Sequence, residues 1–558
     1  MKRTTLAVLM IALALVALAA PRASAQAPAP KVSINGLIDN VTSYARNISN
    51  YNGGVFNRGD SMWYYRTRGR FDFIGEVGKA RGVLGIELDH VLGQAGSNDS
   101  TIVNAGAAAT TAVQTGASTD GSFDLNTDSR GIIEIKWLYV EFPVPLIPVP
   151  TTVRLGAQPF GSQANYKLAV YATGDFPGVT VTSQITPNVK LVGIYVQVEE
   201  NLAGTQTRNG LGAVTPAGGI SLPTQTRGDD FAYIVAPEIT PFTGLDIKPM
   251  FSMFYGQGTT SGNTRQGRGG INTSTAFTNP DGSLRGGINE YRYTVGLDTR
   301  LRMGPFSFDP TVLYQFGNRA VVGPTDAQFQ SNGVVAGRKY YANIDAWLVD
   351  LRGGFQLGPL LLEGLALYTT GNSRRNNTLG TVRYFQPLDT DTGYVADWGS
   401  SLTSLGIDYL NAWNEAAGRI AYPGAATGWD KYGRAQLGAK ATYAITPTLS
   451  AMAGANLHWA AEKVDRDGTA TAGAGITPLF TGPRPRGNHG GWGFGSDRFI
   501  GTELMALITW RFADGLVWDN QFGYMFMGPA LDGVTDPAAG GRNTNDPFML
   551  TSRIRFTF

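Results

Sequence analysis

The chain has 558 residues, and its 45 Lys and Arg residues nearly balance its 43 Asp and Glu residues, giving a formal net charge of +2 at pH 7. This balance gives no indication of a nucleic-acid partner or a strongly charged protein partner. Charged residues make up 16% of the chain, against about 25% in soluble domains. Mean hydropathy is −0.10, and no apolar run of about 18 residues follows residue 25, which excludes a bundle of membrane-spanning helices.

The N-terminus has the composition of a secretory signal peptide. A basic pair, Lys2-Arg3, precedes an apolar run over 6–20, and small residues at 23–25 provide a cleavage site. The chain contains no cysteine, so an exported protein of this sequence has no disulfide bonds. We predict a signal peptide at 1–25, a short Ala/Pro linker at 26–30 and one outer-membrane β-barrel domain at 31–558.

From about residue 31 onward, short segments alternate apolar and polar residues with a period of two, which is typical of strands with one face against an apolar environment. In one such segment Leu437 and Tyr443 share a face, whereas Gln436 and Lys440 share the opposite face. The segments predict about 18 strands, with about 16 as the alternative because three of them, 151–160, 177–186 and 341–356, are weakly defined. The predicted strands fall near 32–46, 62–76, 81–92, 131–143, 151–160, 177–186, 189–199, 230–239, 244–255, 290–302, 306–316, 341–356, 360–370, 431–444, 449–461, 497–511, 516–526 and 547–558.

The connections between these strands alternate in length. Short turns with Gly or Pro, such as those at Gly78, Pro187 and Gly304, alternate with long segments rich in Gly, Asn, Ser and Thr. Outer-membrane barrels have this arrangement, with the short turns on the periplasmic side. We therefore predict an all-β fold: a transmembrane antiparallel up-and-down β-barrel with short periplasmic turns and long external loops.

Aromatic residues cluster at both ends of the predicted strands. Amphipathic rings favour the two membrane interfaces, so we expect two belts, although aromatic residues also favour strands in general. The expected outer belt contains Trp63, Tyr65, Tyr291, Tyr293, Tyr314, Phe316 and Trp459, and the expected periplasmic belt contains Tyr139, Tyr443, Trp510, Trp518, Phe556 and Phe558.

The last predicted strand ends in Arg-Ile-Arg-Phe-Thr-Phe at 553–558, and this ending resembles the C-terminal signature of Gram-negative outer-membrane porins. The strand–turn–strand–loop pattern extends the resemblance over about 31–558, and the size is closer to substrate-selective or alginate-export-like channels of about 18 strands. The resemblance implies insertion into outer-membrane lipid by the barrel-assembly machinery. A homotrimer is the oligomeric state that we consider for it.

Charged residues on the strands predict an aqueous lumen. A charge facing lipid costs about 2–4 kcal/mol at the midplane, so these residues should face inward. Arg66, Arg68 and Arg70 form a ladder next to the terminal strand, and a positive wall there sorts solutes by charge. Alternatively, Glu87 and Asp89 neutralise the ladder and only brace the wall. The predicted pore-lining residues are Arg66, Arg68, Arg70, Glu87, Asp89, Arg154, Arg292, Asp298, Arg300, Arg434, Lys440, Arg553 and Arg555.

Enzymatic functions find little support in the sequence. The three histidines, His90, His458 and His489, are not spaced to share a metal ion, and no serine is distinguished as a nucleophile. We therefore predict no enzymatic activity, no cofactor and no metal.

The longest connection, about 371–430, contains apolar residues at helical spacing: Leu402, Leu405, Tyr409, Trp413, Ala416, Ala417 and Ile420. It either folds over or into the mouth of the barrel as a constriction or rests on neighbouring loops, and we slightly favour the second arrangement.

Taken together, these patterns predict a porin in the outer membrane that allows passive diffusion of small hydrophilic solutes, with a preference for anions if the arginine ladder lies at a constriction. One alternative is a channel dedicated to a single substrate, such as an organic acid or an exported polysaccharide. Another is a structural or electron-conduit scaffold that holds a partner in its lumen, which requires a wide, uncharged bore.

Overall fold

We examined a computed structural model of the protein. The predicted signal peptide and the helical positions at 402–420 lie outside the residues that the structure describes. No helix among the described residues is long and apolar enough to cross a membrane. The described residues are 28–46, 61–92, 132–160, 171–172, 174–199, 230–257, 289–322, 339–371, 381–386, 388, 398, 433–463, 497–531 and 546–558.

The described residues form a 19-stranded sheet, of which 18 strands close into an antiparallel up-and-down barrel. Strands adjacent in the chain are neighbours in the barrel, and β19 pairs with β1 from Leu37↔Thr557 to Arg46↔Phe548. The strands are β1 (Lys31–Arg46), β2 (Ser61–Val77), β3 (Ala80–Leu92), β4 (Ile132–Pro143), β5 (Thr151–Phe160), β6 (Gly174–Thr186), β7 (Val189–Glu199), β8 (Asp230–Phe242), β9 (Leu245–Gln257), β10 (Asn289–Met303), β11 (Phe306–Val322), β12 (Lys339–Leu357), β13 (Leu360–Thr369), β14 (Thr381–Val382), β15 (Arg434–Ala444), β16 (Leu449–Ala460), β17 (Phe499–Ala513), β18 (Leu516–Met527) and β19 (Phe548–Thr557).

The predicted fold is confirmed, and so is the count of about 18 barrel strands. All three weakly defined segments are barrel strands, so the alternative count of about 16 was wrong. The sequence did not reveal β14, whose two residues are too few to show alternation. β14 pairs in parallel with Asn343 and Ile344 of β12. β13 pairs with β12 only as far as Leu348, so this part of the β12 edge is free of β13.

Short turns join the strands at one end of the barrel, which we call the short-turn end. Glycine with positive φ forms several of them: Gly78 (φ 61°), Gly304 (φ 57°) and Gly358 (φ 56°). Two-residue hairpin turns require this left-handed backbone, which costs glycine little. These turns fix the register of each hairpin, and the strand ends that lead into the long connections lie at the opposite end.

The two faces of the barrel wall differ in chemistry. On β3, Val83 and Glu87 are buried inside, whereas Leu84, Ile86 and Leu88 occupy the alternate, outer positions. Large apolar side chains are widely exposed on the outer face, for example Leu437 at 52% and Leu550 at 53%.

Most of the predicted belt aromatics whose side chains the structure describes lie on this outer face. The expectation was wrong for Tyr139, which is 9% exposed and packs against Arg154 on the inside, with the guanidinium carbon 4.7 Å from the ring centroid.

The register at the closure can be tested with cysteines, because the chain has none of its own. Asn40 and Ile554 are direct partners on the outer faces of β1 and β19. Directly opposed Cα atoms lie about 4.5–5.5 Å apart, within reach of a disulfide. We expect oxidised Asn40→Cys/Ile554→Cys protein to form an intramolecular cross-link, visible as a mobility shift that reductant reverses in denaturing electrophoresis.

The control is Asn40→Cys/Trp518→Cys. Its two positions are separated by two strand spacings, about 10 Å, so it should form no cross-link. Equal cross-linking in both double variants would contradict the observed closure.

Candidate functional site: a charged wall and an inward segment

One side of the barrel interior carries a dense set of charged side chains, which we call the charged wall. Its cations outnumber its carboxylates among the residues that the structure describes. The wall consists of Arg66, Arg68 and Arg70 on β2, Lys136 on β4, and Arg553 and Arg555 on β19, together with Asp39 on β1, Asp72 on β2, Glu87 on β3 and Asp519 on β18.

Asp39 is shared by two arginines across the closure of the barrel. Arg553 donates from Nε and Nη2 to its two carboxylate oxygens, each at 2.7 Å, and Arg66 donates from Nη2 at 3.3 Å. Asp39 is fully buried, so these charge-assisted bonds compensate the cost of removing the carboxylate from water. The sequence-based expectation that the ladder lies beside the terminal strand was wrong in detail, because β1 lies between the ladder strand β2 and the terminal strand β19. Asp39 on β1 joins the two.

Glu87 is shared by three cations. Arg68 approaches it at 3.4 Å and Lys136 at 3.5 Å, and Arg70 donates to it from Nε. The Glu87 side chain is 5% exposed and holds β2, β3 and β4 together.

The other carboxylates of the charged wall lie on β18 and β2. Arg555 binds Asp519 at 2.7 Å, and Asp72 accepts a bond from Trp137 Nε1 at 2.9 Å. The Asp89 side chain lies outside the part that the structure describes.

The arginines of the ladder become more exposed toward the short-turn end. The exposed fraction of the side chain rises from 4% at Arg66 to 12% at Arg68 and 31% at Arg70. On the neighbouring strand Arg553 is 24% exposed and Arg555 38%. Arg70, Arg553 and Arg555 are therefore paired with carboxylates and also accessible to water, so they can both brace the wall and act on a solute.

Carboxylates shared between cations occur elsewhere on the inner face. Glu141 binds Arg81 at 3.1 Å and Arg154 at 2.6 Å. Glu238 binds both Lys190 and Lys248. A carboxylate that binds two cations neutralises only part of their charge.

Several other predicted pore-lining residues are covered by protein. Arg292 is fully buried, 3.2 Å from Glu290 and 4.7 Å from the centroid of the Phe254 ring. Asp298 is also buried and accepts a bond from Thr311 at 2.6 Å, and Arg434 is 2% exposed. These residues brace the inner wall and do not face an open passage. Half-buried Arg300 lies on β10 with Arg292.

Part of the connection between β13 and β15 packs against the inner face of the barrel. We call its described residues, 381–386, 388 and 398, the inward segment. Its Phe385, Leu388 and Trp398, with Tyr171 and Ala172 from the connection between β5 and β6, belong to one buried apolar cluster. The wall contributes to this cluster Phe176, Ile194, Val196, Ala232, Ile234, Ala236, Met250, Phe254, Leu313, Ala346, Leu348, Leu365, Leu367, Met452 and Met505.

Hydrogen bonds join the two inward connections to each other and to the wall. The backbone N–H of Leu388 donates to the carbonyl oxygen of Tyr171 at 2.7 Å, and the Tyr171 hydroxyl lies 2.7 Å from the hydroxyl of Ser252 on β9. The inward segment therefore lies within the barrel. The apolar positions at 402–420 lie outside the described residues, so the arrangement of that part of the connection stays a prediction.

The sequence contained a signal for this interior packing that the strand analysis missed. Segments such as 360–367 on β13 and 504–508 on β17 are apolar at nearly every position, without clear alternation. A strand that is apolar on both faces is covered on both faces. The run Tyr384-Phe385 is likewise unusual for a polar loop.

The described residues give no indication of a metal site. His458 lies 3.2 Å from Glu503, and both side chains are buried. No group of three or more potential metal ligands occurs in the described ranges.

Comparisons with known proteins give structural similarity only. No family model matches the chain, and no curated protein matches it. Among solved structures, it is similar to a double variant of OccD1 (OprD), with a TM-score of 0.46, 9% identity and coverage of 96% of this chain and 97% of that chain. It is also similar to a BenF-like porin from Pseudomonas fluorescens, with a TM-score of 0.45, 10% identity and coverage of 95% and 98%. For Pseudomonas aeruginosa OccK8 (OprE), the TM-score is 0.43, with 10% identity and coverage of 95% and 98%.

Replacing the shared carboxylate Glu87 should destabilise the barrel. Glu87→Gln leaves Arg68, Arg70 and Lys136 facing one another without their common anion. Because these cations are partly exposed, we expect the free energy of unfolding to fall by about 2 kcal/mol, less than for a fully buried pair. Urea unfolding in detergent, followed by tryptophan fluorescence, measures the change.

Glu462→Gln is the control. Glu462 is 28% exposed and lies 3.2 Å from Arg498, which is 52% exposed, so its loss should cost about 0–1 kcal/mol. Equal losses for the two variants would contradict the special role of the shared carboxylate.

Proposed function

We propose that the protein is an outer-membrane channel for passive diffusion of small hydrophilic solutes. The observation that carries this proposal is a closed barrel with an apolar outer face and water-accessible arginines on its inner face. A closed sheet satisfies its backbone hydrogen bonds internally, which lipid requires, and charged side chains on its inside require water. In this proposal the protein has no catalytic role.

The charged wall gives the proposed channel a preference for anions. The inward segment occupies the interior beside β11, β13 and β16, so the passage runs along the opposite side, next to the ladder. The excess of cations there raises the local concentration of small anions. The most accessible ladder residue, Arg70, has more influence on a passing solute than Arg66, which is covered.

The membrane location and the partners belong to the same proposal. Residues 1–25 direct export as a signal peptide, and the terminal strand β19 directs insertion by the barrel-assembly machinery. Exposed apolar residues over the outer face, such as Leu437, Leu504 and Leu550, contact outer-membrane lipid. A homotrimer, with the apolar outer faces of three barrels in contact, is the assembly that we propose to test by light scattering in detergent.

A channel dedicated to one substrate class is the second candidate. The inward segment favours it because a narrowed passage beside a basic wall discriminates between solutes more strongly than a wide bore does. Small organic acids fit this arrangement better than a polysaccharide. The same segment argues against an electron-conduit scaffold, which requires a wide, uncharged bore.

The ladder predicts how ion selectivity responds to substitution. In planar bilayers with unequal KCl concentrations, we expect Arg66→Ala/Arg68→Ala/Arg70→Ala to move the reversal potential toward cation preference. Arg70→Ala alone should account for more of this shift than Arg66→Ala alone, because exposure differs along the ladder. The shift should shrink at high salt, since the Debye length falls from about 10 Å at 0.1 M to about 3 Å at 1 M.

Lys79→Ala serves as the control, because it also removes one cation but at an exposed turn between β2 and β3. It should leave the reversal potential close to that of the unmodified protein. An unchanged reversal potential in the triple variant would mean that the ladder only braces the wall.

A further inference from the structure

Besides the pairing of β14 with β12, the described residues of the inward segment have two side-chain attachments to the barrel wall. At the first, the side-chain amide of Gln315 on β11 bonds to the backbone of Gln386 in both directions, accepting from its N–H at 2.8 Å and donating to its carbonyl oxygen at 2.7 Å. Arg319 on the same strand donates to the hydroxyl of Tyr384 at 3.2 Å. This attachment therefore holds the backbone of the segment to β11.

The second attachment holds a single residue, Trp398, by its side chain and its backbone carbonyl. Its indole N–H donates to Asn456 Oδ1 on β16 at 3.0 Å, and its backbone carbonyl oxygen accepts from Lys440 Nζ on β15 at 3.2 Å. The Lys440 ammonium also lies 4.3 Å from the centroid of the indole ring, which is a favourable cation–π distance. Trp398 is 2% exposed, so both the ring and its polar atom are enclosed.

The pocket for Trp398 depends on a glycine. A Cβ atom at Gly438 would lie 2.2 Å from Asn456 Oδ1 and 2.7 Å from Trp398 Nε1. Gly438 does not have a positive φ, so its backbone conformation would accept a side chain. The Trp398 indole and its acceptor Asn456 are what exclude one. Gly438, Lys440 and Asn456 therefore form a socket that fits the indole.

We propose that Trp398 is a positioning residue that sets the cross-section of the passage by fixing the inward segment in this socket. The inference rests on the proposed channel function and adds the residue that determines its width. Gln386 and Trp398 are attached to strands on opposite sides of β12 and β13, so these two residues lie on either side of that part of the inner wall. Release of Trp398 removes the attachment to β15 and β16, so the end of the segment at Trp398 gains freedom to move. The pairing with β12, the bonds to β11 and the bond from Leu388 to Tyr171 remain.

Single-channel conductance in planar bilayers tests the proposal. We expect Trp398→Ala and Gly438→Val each to change the unitary conductance by about two-fold and to broaden its distribution, because conductance depends on the narrowest cross-section. Trp398→Phe retains a ring over Lys440 and should remain closer to the unmodified channel. The control is Gly364→Val on the outer face of β13, where the nearest atom to a new Cβ is 3.9 Å away.

Only channels that insert contribute to unitary conductance, so a variant that merely folds less well yields fewer channels of normal conductance. Unmodified unitary conductance in both Trp398→Ala and Gly438→Val would overturn the inference and leave the channel function intact. If Gly438→Val does not insert into the bilayer, the unitary conductances of Trp398→Ala and Trp398→Phe test the inference by themselves. Absence of conductance in the unmodified protein would instead contradict the proposed function itself.

Discussion

The closure of the sheet between β1 and β19 is the constraint on which the rest of the structure depends. Once the last strand pairs with the first, the barrel has no free edge at this position, and each side chain faces either inside or outside. Period-two alternation then assigns apolar residues such as Leu550 to the outer face and Arg553 to the inner face. The charged wall exists because charged residues of β18, β19, β1, β2, β3 and β4 are brought together on one side of the interior.

The interior of this barrel combines two kinds of packing that usually occur in different molecules. On one side, carboxylates and cations form partly hydrated ion pairs. On the other side, the inward segment and the wall form a dry apolar cluster around Phe385 and Leu388. The first kind of packing suits a surface that contacts water, whereas the second suits the core of a soluble domain. The apolar side chains of the inward segment are stabilised by burial against the strands of this second side.

The sequence predicted the strands well because alternation and turn chemistry are local signals. Gly304 and Pro305 mark a turn whatever lies elsewhere in the chain, and the charges of Arg66, Arg68 and Arg70 exclude lipid from one face of β2. The pairing of Arg553 with Asp39 followed only from the closure, which joins residues far apart in the sequence. The positions of Trp398 and Gln386 could not be predicted. Their partners, Asn456 and Gln315, lie on strands that are distant in the sequence, and no local pattern shows which strand a residue of a connection contacts. Local patterns also could not show that Arg292 and Arg434 are covered.

The shared carboxylates also affect how securely the strands are aligned. Inside–outside alternation excludes a slip of one residue between neighbouring strands, but a slip of two residues keeps every side chain on its original face. Asp39 contacts arginines on both adjacent strands at once, and Glu87 likewise contacts cations on both of its neighbours. A two-residue slip on either side breaks these contacts. Alternation therefore allows only registers that differ by an even number of residues. The ion pairs of Asp39 and Glu87, each of which joins three strands, select one of these registers.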